Sequence, residues 1–436
     1  MKKKLLVLIL AAMITASLAA CSDGDVIKKI GTDSTGVSVT QTAATEAATQ
    51  KAAQTNSSAA EVVTTVNTYA NGELNGSEIF TDRDLTQTAD LSEAKSYTVA
   101  DNTDITIDSA GVYVFTGTAK EMSIIVDAAS EDKVQIVLNG VDITNTSKPA
   151  IYVKSADKVF VTTASGSDNT VSVTGAFTSD GDTNTDAAIF SKDDLVLNGL
   201  GALTVYSSEN GVSSKDDLKI TGGTITVDCA ADGFEANDSI AVADGKITVN
   251  TDKDAFHAEN DEDNTAGYIY ICGGTFDIIA GGDGVQATTV LQIDGGTLNI
   301  NATEGLEGTF VQLNGGDINI TASDDGVNAT TKSTAYNVKI EINDGNLTVN
   351  MGQGDTDGID SNGDLIINGG TVNVNGQSPF DFDGQGQLNG GTVYTNGSQV
   401  TELSNQFGGM GGGMGGRGGM GGGMGDPGAM PGGFQR

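Results

Sequence analysis

The sequence predicts an all-β chain wound as a right-handed parallel β-helix, a solenoid with rungs of 21–22 residues. Three observations predict it. The first is a recurring phrase of acid, glycine, apolar, polar and small residue. It reads Asp232-Gly233-Phe234-Glu235-Ala236, Asp283-Gly284-Val285-Gln286-Ala287, Glu304-Gly305-Leu306-Glu307-Gly308, Asp325-Gly326-Val327-Asn328-Ala329 and Asp357-Gly358-Ile359-Asp360-Ser361. Looser copies stand at Asn210-Gly211-Val212 and Asp254-Ala255-Phe256. The second residue of each copy then falls at 211, 233, 255, 284, 305, 326 and 358, in steps of 22, 22, 29, 21, 21 and 32. A fixed period of this length, stretched in places by inserted loops, marks stacked repeats. The second observation is a branched apolar column at constant phase: Leu203, Ile225, Ile247, Phe276, Leu298, Ile318, Leu347, Val372 and Val393. A parallel column follows two residues on, from Val205 to Val374. Alternate residues on a strand share a face, so these columns describe a stacked core. The third is composition: 60 Gly, 4 Pro and no Trp suit short strands and tight turns.

Taken in order, residues 1–20 form a targeting segment, with Lys2, Lys3 and Lys4 ahead of an apolar core. It ends Leu18-Ala19-Ala20-Cys21, which resembles the lipobox of bacterial lipoproteins and implies lipidation at Cys21. The expected location is extracytoplasmic, on the outer face of a membrane. Residues 21–76 read as a spacer rich in Ser, Thr, Ala and Gln. Strands begin near Ile79, and the solenoid is expected to occupy 77–402. A cap over its open end is expected within 77–120, because a terminal rung otherwise exposes its edge. In the regular part each rung has a short first strand, a second strand and, after a Gly-Gly corner, a third. Paired glycines as in Gly295-Gly296 permit positive φ at the corner. Asp294, Asn314, Asn343, Asn368 and Asn389 precede successive corners and are expected to hydrogen-bond as a ladder. Residues 403–436, a Gly/Met-rich tail, cannot bury a core and read as disordered. Its evenly spaced methionines suit soft Cu(I), though a flexible or wall-interacting tail is the plainer reading.

The formal net charge is −36, from 58 acids against 22 Lys and Arg. Such a surface repels nucleic acid and attracts cations, so an acidic polymer meets it only across a divalent ion. Three Cys and one His leave no ligand set for a cysteine–histidine zinc site. Cys229 and Cys272, at different phases of the rung, are expected to be buried thiols.

Stacking the rungs places Asp232, Asp254, Asp283, Glu304, Asp325 and Asp357 in one column, with neighbouring strands about 4.8 Å apart. Like charges at that spacing are unfavourable unless neutralised. Three residues along, Glu235, His257, Gln286, Glu307, Asn328 and Asp360 make a second polar column. Acids on adjacent rungs, with turn carbonyls, supply the six to eight oxygens that calcium takes. The candidate Ca2+ ligands are therefore Asp232, Glu235, Asp254, Asp283, Glu304, Glu307, Asp325, Asp357 and Asp360. For any single copy, Asp before Gly is also ordinary turn chemistry; the whole column is what points to calcium. Within the opening phrase, Gly233 is read as making the corner, Phe234 and Ala236 as facing the core, and Asp232 and Glu235 as facing the ions. Asp180, Asp182, Asn184 and Asp186 alternate as in a calcium loop but lack its glycine and terminal glutamate. The Ser191-Lys192-Asp193-Asp194 and Ser214-Lys215-Asp216-Asp217 copies are expected to pair Lys with Asp between rungs. An outward column on the third strands, with Thr204, Thr226, Thr248, Asn299, Asn319 and Tyr394, joined by Tyr206, offers hydroxyl and amide groups to a sugar chain. Thr and Asn also simply suit an exposed strand.

The lipobox, the spacer, the repeated "SKDDL…GGT…ADGFEAND" rungs and the Gly/Met tail resemble a family of clostridial surface lipoproteins. The likeness covers roughly Val134 to Ser398. It implies a calcium-bearing β-helix, similar in fold to pectate lyases, that binds cellulose and pectic polysaccharide. Lyases of that fold use an Arg or Lys base beside calcium. Here Arg occurs only at 83, 417 and 436, and Lys253 lies between Asp252 and Asp254, whose charges favour the ammonium over a base. No catalytic residue is assigned, and paired carboxylates are too abundant to single out a glycosidase pair. The favoured reading is a polysaccharide-binding protein that does not cleave its ligand. A calcium-dependent lyase using Lys253 and a structural adhesin without a sugar ligand are the alternatives.

Overall fold

The computed structural model describes residues 74–352 and 356–405. The targeting segment, Cys21, nearly all of the spacer and the Gly/Met tail lie outside the described residues. The described part is all-β, apart from one short helix at Gly76–Ile79. Its strands form two sheets, of 12 and 24 strands.

The 12-stranded sheet is one column of parallel strands. It runs through Asn210–Ser214, Phe234–Ala236, Phe256–Ala258, Asp283–Ala287, Glu304–Gly308, Val327–Ala329, Asp357–Ser361 and Ser378–Phe382. The larger sheet is two such columns joined at its head. Lys133–Asn145, a 13-residue strand, pairs through its first half with Lys158–Thr163 and through its second with Asp168–Val173. From there the second and third columns continue separately. The last contact, Thr392–Thr395 with Ser398–Val400, is antiparallel.

The register follows the sequence columns. Leu203, Ile225, Ile247, Phe276, Leu298, Ile318, Leu347, Val372 and Val393 are successive partners and all are buried. They share one core with Phe234, Phe256 and Val285 of the first column and Ile240, Ile269 and Leu291 of the second. Stacking Phe234 on Phe256, with ring centroids 4.8 Å apart, adds aromatic contact to that burial. The corner ladder forms as expected: Asn314, Asn343, Asn368 and Asn389 each donate from Nδ2 to the preceding corner's carbonyl or carboxylate oxygen at 2.8–2.9 Å. At these corners the second glycine has the left-handed backbone, as at Gly296 with φ 103°.

Within the range expected to hold a cap, residues up to 87 do not cover an open end; residues 74–87 run as a strap along the outside of the second column, against the rung order. Gln292 Nε2 donates to Leu74 O at 2.9 Å, Lys219 Nζ to Ile79 O at 2.7 Å, and Gln87 Nε2 to Thr221 O at 2.8 Å. Leu74, Ile79 and Phe80 pack on Ala241, Tyr270, Val290 and Phe310. Second-column strands such as Val290–Ile293 are therefore buried on both faces. Asp84, fully buried in the strap, lies 3.7 Å from Lys158 and 3.9 Å from Lys219, so the charge it carries inward is matched by two ammonium groups.

Candidate functional site

The acid column lies on the first column of strands, at or just before the start of each short strand, and every acid but Asp254 is followed by a glycine. Gly233 stands in a bend between two strands, as expected of a corner, but glycine is needed there for space and not for positive φ. A Cβ at that position would sit 2.7 Å from Ala255 O and 2.7 Å from Val249 Cγ1. Without one, adjacent rungs close up and the acids stack. Phe234 and Ala236 face the core as expected, and the residue between them faces outward. The outward register is Ser213, Glu235, His257, Gln286, Glu307, Asn328, Asp360 and Asp381.

The acids carry a second function that their sequence did not announce. Asp232, Asp254 and Asp325 each use one carboxylate oxygen to accept the backbone N–H of the next acid. Asp254 N donates to Asp232 Oδ1 at 3.1 Å, Asp283 N to Asp254 Oδ1 at 2.6 Å, and Asp357 N to Asp325 Oδ1 at 3.1 Å. The column is thus a backbone clamp, and for Asp232 and Asp254 the other oxygen remains for a ligand.

Two clusters emerge in which every residue places a ligand atom within 4.8 Å of the others: Asp232, Asp254 and His257, and Asp283, Glu304 and Glu307. The second offers only oxygen. Burial, then repulsion from Asp254, Glu304 and Glu307, pushes the Asp283 carboxyl up to about 9, and burial with Glu307 and Asp325 nearby pushes Glu304 to about 7. Its own compensation is limited to Gln286 Nε2 and Lys332 Nζ on Glu307 Oε2, at 2.7 and 2.8 Å, and Asn328 Nδ2 on Glu304 Oε2 at 2.9 Å. Lys332 comes from an inserted loop, with no periodic position to flag it. Further along, burial and neighbouring acids raise Asp325 to about 7 and Asp360 to about 6. Asn328 Oδ1, buried between Glu307 and Asp360 in the register, has no hydrogen-bond donor. Unsatisfied oxygen beside carboxylates held partly protonated fits a hard divalent cation.

At the first cluster the balance differs. Burial would raise Asp232, but His257 overrides it and holds the carboxyl below its ordinary value. Burial would lower His257, but Asp232, Asp254 and Glu259 together raise it. Asp254, buried, is raised.

Glu235 is engaged elsewhere. Its carboxylate accepts from Asn210 Nδ2 and Ser213 Oγ at 2.8 Å and lies 3.4 Å from Lys215 Nζ. Lys215 therefore pairs with Glu235 of the next rung and not with an acid of its own repeat motif, while Asp193 Oδ2 accepts from Ala156 N. Asp180 pairs with Lys154 at 2.6 Å. Lys253 is exposed. Cys229 is a buried free thiol, whereas Cys272, expected to be another, is half-buried in the cluster under the strap and is disulfide-bonded.

The third column presents the other face. Thr204, Thr226, Thr248, Asp277, Asn299, Asn319, Thr348, Asn373 and Tyr394 are successive outward partners. Tyr206, 45 % exposed, and Ile279, 54 % exposed, stand in the neighbouring outward row.

A family described as carbohydrate-binding domain-containing protein matches residues 101–309 and 303–401. A carbohydrate-binding domain-containing protein of Acetivibrio thermocellus is 46 % identical over 201 residues, 45 % of this chain and 70 % of the relative. The solved structure of a polysaccharide lyase-like protein from C. thermocellum, a gadolinium derivative, is 25 % identical and aligns with 66 % of this chain and 98 % of its own, at a TM-score of 0.42. With most of the described residues matched, this chain belongs to the family of carbohydrate-binding domain-containing proteins.

Proposed function

We propose that this protein is a lipid-anchored, extracytoplasmic polysaccharide-binding protein. Its two sheets wind as a right-handed parallel β-helix of 21–22-residue rungs, loaded with calcium along the acid column, and it holds its ligand without cleaving it. The observation that carries the calcium reading is the Asp283–Glu304–Glu307 cluster. Three carboxylates converge there with little cationic compensation, and the buried orphan Asn328 Oδ1 follows on the next rung. Calcium would be held by Asp283, Glu304 and Glu307, and further along by Asp325, Asp357 and Asp360. Asp232 and Asp254 continue the row upward, where His257 joins them. The ion would supply the charge that lets all of these acids ionise together.

Cellulosic and pectic polymers are the ligand class. A uronate chain would share the calcium row through its own carboxylates, and a neutral chain would lie along the Thr226, Thr248, Asn299 and Asn319 face with Tyr206 and Tyr394. Lipidation of Cys21 would keep this surface at the outside of the cell. Retention of the full chain on insoluble cellulose and on pectate gel, with calcium and after chelation, tests the reading. Retention in calcium supports it, and no retention on either material in either condition overturns it. Incubation with polygalacturonate and calcium should give no rise in absorbance from unsaturated product; such a rise would make the protein a lyase.

A further inference from the structure

His257 places both ring nitrogens against carboxylates. Nδ1 lies 3.6 Å from Asp232 Oδ2 and 3.7 Å from Asp254 Oδ2, and Nε2 lies 3.4 Å from Glu259 Oε2. A neutral imidazole has one N–H and one lone pair. With the N–H turned to Glu259, the Nδ1 lone pair faces two carboxylate oxygens, an arrangement that is met either by a second proton on the ring or by a metal cation between them. An outer carboxylate that fixes the imidazole while the inner nitrogen ligates is the usual support of a metal-bound histidine.

The two inner oxygens are held for the same purpose. Asp232 and Asp254 each give Oδ1 to the amide of the next acid, at 3.1 and 2.6 Å, which leaves Oδ2 of both turned to the ring. Phe256 and Ala258 on either side of His257 are fully buried, and their strand is paired on both edges. The imidazole is therefore presented by a rigid element. Zinc bonds to nitrogen and oxygen of about 2.0–2.1 Å place tetrahedral ligand atoms about 3.3 Å apart. The two separations from Nδ1 need to contract by only about 0.3–0.4 Å to meet that shell, and the ligand atoms of all three residues lie within 4.8 Å of one another.

We propose that Asp232, Asp254 and His257 form a site for a divalent transition metal of the zinc class, with Glu259 holding the imidazole from its far side. Calcium takes oxygen ligands, whereas imidazole suits zinc and its neighbours. One histidine in the outward row thus gives adjacent rungs of one column different metal preferences. Asp232 and Asp254, the upper end of the row offered to calcium, go here to the transition metal, and the single imidazole gives this site a probe that the calcium reading does not share.

His257 is the only histidine in the chain, so the 15N-labelled full chain has a single imidazole to observe. In calcium-saturated buffer, one equivalent of Zn2+ should shift the Nδ1 resonance and fix the Nε2–H tautomer, while added calcium alone should not. Calorimetry in the same buffer should give one Zn2+ per chain, with affinity reduced at least tenfold in His257→Gln and unchanged in Glu304→Gln. Imidazole resonances that ignore Zn2+ in the wild-type chain would overturn the proposal, as would wild-type zinc affinity in His257→Gln.

Discussion

Asp232–Asp254–His257 and Asp283–Glu304–Glu307 lie on neighbouring rungs of the same column of short strands. They differ in how charge is met. The first cluster contains its own ionisable base, so burial is offset internally: His257 is raised and Asp232 lowered. The second has three acids and only Lys332 and two amide side chains against them, and its carboxyls rise instead, Asp283 to about 9 and Glu304 to about 7. An identical fold position is thus self-neutralised in one rung and dependent on an outside cation or proton in the next. The repeat supplies the geometry, and the residue at the outward position decides the chemistry.

The largest effect expected from this difference is on calcium. Each site held at 100 times its Kd adds about 2.7 kcal/mol to stability. Calcium should therefore raise the melting temperature of the full chain by several degrees at pH 7, and Asp283→Asn with Glu304→Gln should remove most of that rise. An unchanged response in the double variant would mean that the two clusters do not differ as described.

Next comes the pH profile without calcium. Asp283, Glu304, Asp325 and Asp360 have folded values above their unfolded ones, so the folded state binds protons more tightly. Their contribution is greatest at low pH and falls as pH rises from about 4 through 6, 7 and 9. The His257 cluster behaves otherwise. Its histidine contributes fully below the unfolded value near 6.5 and loses that contribution as pH rises through its raised folded value; Asp232 contributes above about 4 and loses it on acidification. Metal-free denaturant midpoints measured from pH 5 to 9 should fall steadily for the wild-type chain, and calcium should flatten the fall.

Smaller still is the effect of His257→Gln on metal-free protein. It removes the imidazole from between two carboxylates and should cost about 1–2 kcal/mol at pH 5.5, less at pH 8.5. A pH-independent loss would mark His257 as packing only. Smallest in stability is the exposed face. Thr226→Ala with Thr248→Ala should change stability by less than about 1 kcal/mol while weakening retention on cellulose.

Much of this comparison was legible before any coordinates, because period and phase are properties of a list of residues. The core columns, the Asn corner ladder and the acid column follow from constant spacing, and hydrogen bonds or strand register bear each of them out. What resisted reading was whatever leaves the period. The strap from Leu74 to Gln87 has no repeat of its own, and its partners are 100 residues or more away in sequence. Lys332 reaches Glu307 from an insertion, and Lys215 chooses Glu235 over the acids beside it. His257 looked like one more member of a ladder because only distances show that its two nitrogens face three carboxylates. The reason for glycine at 233 was hidden in the same way: close approach to Ala255 O is a contact between rungs, invisible in a local turn pattern.

The most direct measurement is calcium titration calorimetry of the full chain at pH 7, comparing wild type, Asp283→Asn with Glu304→Gln, and His257→Gln. The account predicts calcium binding by the wild-type chain, loss of at least one calcium in the double variant, and wild-type behaviour in that lower cluster for His257→Gln. No calcium binding by the wild-type chain, or binding unchanged in the double variant, would contradict it.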